Sequence, residues 1–422
     1  MPEYLILLFM VAALVALGVG LKLPMGVALA GAALAGALLD GQGFAVRHLV
    51  EGAFGFFDII LIIASAMIFM KALQRSGSLD GLAAAILKTF YKSRPGLLLT
   101  AMLLLMFPGM ITGSSLAAVL SIGPIIAPVL TKLGLPRLKT AAFVAMGAIF
   151  GMIAPPVNIP AMIMGGGVDM PYSGLSAPLL LIVIPLAVFT ALWLGLRDVR
   201  PVSREEMSSL LPAAPGTSRG FRLYLPLLLV VVLMVLQNVR VPLVSRLGLP
   251  AVFFLGSLAG LVCGRRFNFW KATRDALAEA MPILSILAGV GMFIQVMALT
   301  GARGWAVTTF LALPPAFLYA GIAVGMPLFG GVSAFGAASV LGVPVLLALI
   351  GKNALVTTSA LSAIVGLGDL VPPSAMASRF SAQVAGTTGV LRVLRASLVP
   401  ACLTLTWSVA VLVLAPILEK VL

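Results

Sequence analysis

The sequence predicts an all-α polytopic membrane protein made of two inverted repeats. Each repeat is expected to hold five spans, one re-entrant hairpin and one broken helix. Three observations carry this expectation. Apolar residues make up 61% of the chain and charged residues only 9%, whereas a soluble domain is about half apolar and about a quarter charged. Windows of about 20 apolar residues, the length of a helical span, recur from end to end. The same unusual residue strings appear once in each half.

In the first half the apolar pattern places crossings over residues 4–20, 24–40, 53–73, 138–165 and 177–196. Residues 4–20 read as a retained span and not a signal peptide, because no basic segment precedes them and no small-residue cleavage site follows. In the second half crossings are expected over 222–238, 250–264, 281–300, 353–386 and 389–416. Residues 78–92 and 268–279 mix charge with apolar positions and read as interfacial helices.

Between the third and fourth crossing of each half lies a different kind of segment. Residues 95–133 are apolar but broken at Pro108-Gly109 and at Thr112-Gly113-Ser114-Ser115. Residues 314–351 are apolar but broken from Gly325 to Ser333, through Gly330-Gly331. Each leaves two arms too short for comfortable spans, so each reads as a hairpin whose tip lies at mid-membrane. Such backbone is tolerated only against protein or a water-filled cavity.

The halves match in detail. Ser115 and Ser121 share a six-residue spacing with Ser333 and Ser339, and a Pro-Pro follows 40 residues after Ser115 and 39 after Ser333. The repeats are therefore 1–196 and 222–422, joined by a linker at 197–221, with broken helices at 138–165 and 353–386. An odd number of crossings per repeat inverts one against the other. Threading the spans puts 17 Lys and Arg, from Lys22 to Arg274, on one face and six on the other: Arg47, Arg240, Arg246, Arg303, Lys352 and Lys420. By the positive-inside rule the linker is cytoplasmic and both termini are periplasmic, in a bacterial-type inner membrane.

The net charge of +14 does not signal nucleic acid, because the basic residues sit in short loops between spans. Cys263 and Cys402 lie far apart, and His48 is the one histidine. No His/Glu metal spacing, phosphate-cradling loop or nucleophile elbow is present, which argues against an enzyme and an ATP-driven pump.

The chemistry of this chain is expected at the breaks. A helix interrupted inside a membrane exposes free carbonyls at one end and free N–H groups at the other. Carbonyls and hydroxyls make a hard-oxygen cage suited to a small cation. In the first repeat the candidates are Thr112, Gly113, Ser114 and Ser115, with Gly151 and Pro155 at the helix break. In the second they are Gly330, Gly331 and Ser333, with Gly366, Asp369 and Pro372. Two charges stand inside the apolar run, Arg379 and Asp369, and such charges are costly and functional. Arg379 is suited to a carboxylate through its planar fork, and Gln383 shares its helix face. Ser374 and Asn158 complete the candidate substrate set. Asp369 is suited to a cation or a proton, and the residues do not choose between sodium and proton coupling.

The stretch from Gly113-Ser114-Ser115 through Gly123-Pro124, Pro128 and Gly134 to Gly151-Met152-Ile153-Ala154-Pro155-Pro156 resembles the large membrane subunit of tripartite ATP-independent periplasmic (TRAP) transporters, in the ion transporter superfamily. After Pro372-Pro373 this chain has Ser374-Ala375-Met376 where members tend to carry Val-Gly-Asn-like residues. The resemblance implies an elevator mechanism, sodium at the two hairpin tips, no other cofactor, and a small organic anion of the C4-dicarboxylate kind as substrate. It also implies two partners, a small four-span membrane subunit and a periplasmic substrate-binding protein. A stand-alone carboxylate or sugar-acid permease is the alternative, with a channel third.

Overall fold

The computed structural model describes residues 1–210, 217–238, 247–349 and 351–418, and all secondary structure among them is helical. Residues 211–216 of the expected linker, position 350 of the second hairpin, and Arg240, Arg246 and Lys420 of the charge count lie outside the described residues. Among the described residues seven helices are long and apolar enough to cross a bilayer, and six further apolar helices have 10–17 residues. The chain is a multi-pass membrane protein.

The first half opens with α1 (Glu3–Val15), which runs into a π-helical turn at Ala16–Gly20. It continues with α2 (Met25–Leu39), α3 (Val46–Gly55), α4 (Phe57–Ser76) and α5 (Ser78–Phe90). Next come α6 (Arg94–Thr112), α7 (Ser115–Lys132), α8 (Arg137–Ile153), α9 (Ile159–Gly166) and α10 (Ser176–Gly195). A short α11 (Arg204–Leu210) follows in the connecting segment. The second half holds α12 (Leu225–Asn238), α13 (Leu249–Cys263), α14 (Phe269–Leu299) and α15 (Ala302–Ala312). Then come α16 (Pro315–Gly330), α17 (Ala334–Ala337), a π turn at Ala338–Gly342, and α18 (Val343–Ala348). The chain ends with α19 (Ala354–Gly366), a 3₁₀ turn at Leu367–Leu370, α20 (Met376–Val384), α21 (Val390–Ala396) and α22 (Leu398–Leu418).

Local signals explain most boundaries. Ser93, Ser114, Asn158, Asn268, Ser333 and Asn353 each cap the helix that follows, accepting a first-turn N–H with the side-chain oxygen. Gly77 and Gly301 sit in the left-handed region, at φ 77° and 73°, and each turns the chain into a short helix, α5 or α15. One expectation fails here. Residues 268–279 do not form a separate interfacial helix. They are the first turns of α14, whose 31 residues run unbroken for about 46 Å. Asn268 caps that helix and nothing in the interior stops it, whereas the first half breaks at Phe56 between α3 and α4.

The helices pack as two bodies. In one, α1 to α4 pack with α12 to α14. Gly26 and Gly289 bring α2 onto α14, and Gly52 and Gly291 bring α3 onto it, so closely that a Cβ at any of them would meet backbone or Cβ atoms of the partner helix. Lys71 and Arg75, one turn apart on α4, pair with Glu279 and Asp275 of α14. In the other body α6 to α10 pack with α16 to α22. Helices α5 and α15 run between the bodies: α5 touches α4 and α6, and α15 touches α14 and α18.

Candidate functional site

The second body is organised around two hairpin tips and two helix breaks, and each tip is fastened to a break by the same contacts. In the first half Gly109 of α6 lies against Gly151, four residues before Pro155. In the second half Gly330 of α16 lies against Gly368, four residues before Pro372. The next backbone carbonyl of each hairpin then accepts from the residue two beyond the first proline. Val157 N–H donates to Met110 O at 3.1 Å, and Ser374 N–H donates to Gly331 O at 2.9 Å. Both Pro-Pro peptide bonds are cis.

The tips themselves are built from capping residues. Gly113 adopts φ 65°, a conformation that favours glycine. Thr112 Oγ1 donates to Pro108 O at 2.7 Å, and Ser114 Oγ accepts from Ala117 N–H at 3.3 Å. At the second tip Ser333 Oγ accepts from Gly336 N–H at 3.0 Å. Thr112, Ser114, Ser115, Ser333, Gly151, Pro155, Gly330, Gly331 and Gly366 are all buried.

The first tip also reaches the second break. Ser115, at the first turn of α7, donates its hydroxyl to the Asp369 carboxylate in the 3₁₀ turn after α19. Asp369 is 8% exposed and is the one charged side chain among the described residues that is buried. The free N–H groups at the start of α7 lend partial positive charge beside Ser115. Among the described residues the Asp369 carboxyl has one hydroxyl partner and no basic one, so buried here it is either protonated or balanced by a metal cation. The breaks are tied together by Asn158, whose Nδ2 donates to Ile153 O at 2.7 Å and to Ser362 Oγ at 2.9 Å. Its Oδ1 accepts from Ala161 N–H at 2.9 Å and its own N–H donates to Tyr172 OH at 2.9 Å. Asn158 is fully buried with its amide occupied. Ser362 and Tyr172 were not anticipated from sequence. The available signal was Ser359 and Ser362, one turn apart in an apolar helix just before a break.

Arg379 differs from expectation. It is not buried: it is exposed on α20, and its Nη2 donates to Pro373 O at 3.1 Å. Gln383 shares that exposed face, Ser374 is half-buried, and Pro372 is exposed. The buried side of α20 is taken by Ala377, Ser378, Ser381 and Ala382. Counting from the Pro-Pro pairs, the position matching Asp369 in the first half is Met152, so the carboxylate has no counterpart there.

Residues 4–196 match the model of the Na+/H+ antiporter family. Two solved structures share the fold. One is the YdaH transporter of Alcanivorax borkumensis, described as having an unusual topology. It has a TM-score of 0.61 and 17% identity, with 87% of this chain and 86% of that one covered. The other is MtrF of Neisseria gonorrhoeae, described with a class of antimetabolite efflux pumps. It has a TM-score of 0.59 and 17% identity, with 89% and 85% covered. No curated protein matches the chain in sequence.

These findings correct the TRAP resemblance. The string from Gly113 to Pro156 that suggested it lies inside the segment that the antiporter family matches. Hairpin tips and Pro-Pro breaks answer a shared physical need, to interrupt a helix in lipid, and do not distinguish the families. The carboxylate substrate, the stand-alone carboxylate or sugar-acid permease, the small four-span subunit and the periplasmic binding protein all fall with that resemblance. The family matched and the proteins sharing the fold are transporters, not enzymes.

Proposed function

We propose that this protein is a secondary transporter that exchanges sodium for protons, with Asp369 as the carboxylate that carries one or the other. The carrying observation is the buried Ser115–Asp369 contact, which joins the first hairpin tip to the second helix break. A carboxylate in that setting binds a proton or a cation, but not both, and this competition is the whole coupling mechanism. Ser115 Oγ and the backbone carbonyls freed at the breaks supply neutral oxygens to a small hard cation. Hydroxyls at Thr112, Ser114 and Ser333 hold the loops in shape.

The two sequence halves are read as inverted repeats, with the linker cytoplasmic and the termini periplasmic. The equal registers of Gly109–Gly151 and Gly330–Gly368 support the repeat. The division into two bodies supports an elevator, in which α1–α4 and α12–α14 stay in place while the hairpin body carries Asp369 across. Radioactive sodium uptake into proteoliposomes under an imposed outward proton gradient tests the reading. Uptake that follows the proton gradient is expected, and its absence for sodium and for other monovalent cations would reject it.

A further inference from the structure

At the end of α14 the two bodies part at an open cleft of about 450 Å³, lined by Ala298, Arg303, Gly304, Val307, Thr308 and Leu347. Its walls are α15 on one side and α18, the second arm of the second hairpin, on the other. In the first half a hydrogen bond spans the corresponding place. Three residues before the left-handed Gly77, Gln74 Nε2 donates to Ser121 Oγ of α7 at 2.6 Å. Three residues before the left-handed Gly301 stands Ala298, too short to reach across, and Ser339 turns its hydroxyl back onto Gly336 O at 2.8 Å.

Arg303 enters this cleft from the first turn of α15, and among the described residues it makes no ion pair and no hydrogen bond. Glu3 of α1 comes close to Gly301 but makes no ion pair with Arg303. Depth is fixed by aromatic residues. Trp305, two residues on, packs on Tyr4 with centroids 6.0 Å apart, and the Lys352 ammonium donates to the Tyr319 hydroxyl at the foot of the same hairpin. Amphipathic rings of this kind mark the headgroup level. Leu311 and Phe317, 62% and 69% exposed, continue the surface toward lipid.

We propose that this cleft seats the headgroup of an anionic phospholipid, with Arg303 binding its phosphate and the apolar wall at Ala298, Val307 and Leu347 receiving the start of its acyl chains. A guanidinium with no partner among the described residues, set among apolar side chains, matches a phosphate in charge and in its bidentate geometry. A zwitterionic headgroup would bring its ammonium beside the same cation. The lipid would fill the junction between the arm and the hairpin, where the first half has Gln74 and Ser121.

The test is lipid retention by native mass spectrometry, on protein purified in mild detergent from membranes containing phosphatidylglycerol and phosphatidylethanolamine. Wild type is expected to keep phosphatidylglycerol. Arg303→Gln should keep roughly tenfold less, the scale of one lost charge-assisted contact, and Arg303→Lys should keep an intermediate amount. Ala298→Leu, which narrows the cleft and leaves the charge, should also shed lipid while remaining monodisperse. A wild-type lipid complement on Arg303→Gln would overturn the proposal, as would equal retention of phosphatidylethanolamine. Thermal stabilisation by inorganic phosphate equal to that by phosphatidylglycerol would instead show a free-anion site and reject the lipid.

Discussion

Asp369 and Ser115 define the account at the scale of single residues. Replacing Ser115 by Ala removes the one side-chain partner of a buried carboxylate, a change that costs about 1–3 kcal/mol in comparable cases. The apparent sodium affinity of Ser115→Ala is therefore expected to fall by roughly tenfold, measured as the half-saturating sodium concentration for exchange. Unchanged affinity would remove Ser115 from the site. Gly368 makes a different prediction. Its hydrogen faces the Gly330 backbone with no room for a methyl, so Gly368→Ala must push the second tip off its break. Overpacking of this kind costs about 1–3 kcal/mol, and a lowered melting temperature in detergent is the expected outcome. A melting temperature equal to wild type would mean that the tip is free to shift. Asp369 stood out in the sequence as a charge inside an apolar run, and it is buried as that placement implies. Its partner was not, since Ser115 lies 254 residues away in the other half and nothing local announces the meeting. Arg379 shows the opposite limit. Its i, i+4 relation to Gln383 is visible in the sequence, but which side of α20 is buried depends on α7 and α8 packing there.

At the scale of helices, the hairpin arms and breaks were legible because glycine and proline punctuate apolar runs in a way that packing cannot undo. The 11-residue α15 was not, since it is short, largely apolar and continuous in composition with what surrounds it. The unbroken α14 was not either, because the charges of its first turns look interfacial until Asp275 and Glu279 are seen paired to α4. Gln74 to Ser121 is the one side-chain hydrogen bond between α1–α4 or α12–α14 and the hairpin body among the described residues. If that body slides, this contact must break in every cycle. With Cys263 and Cys402 replaced by Ser, a bifunctional thiol reagent joining Gln74→Cys to Ser121→Cys should abolish exchange, and a reagent with a reducible spacer should allow recovery. Full exchange by cross-linked protein would show that α4 and α7 do not move past each other.

At the scale of the whole molecule, the proposed inversion of the halves makes sidedness testable. In intact cells a cysteine at Ser203, between α10 and α11, should be shielded from an impermeant thiol reagent, and one at Gly304 should react. Labelling of Ser203→Cys from outside would turn the molecule over. The central claim is that one buried carboxylate couples sodium to protons, and everted membrane vesicles test it most directly. Respiration acidifies the vesicle interior, and addition of sodium should collapse that proton gradient when the wild-type protein is present. Asp369→Asn keeps the hydrogen-bonding shape but cannot exchange a proton for a cation, so vesicles holding it at equal abundance should keep their gradient. Sodium-dependent collapse by Asp369→Asn at the wild-type rate would contradict the claim.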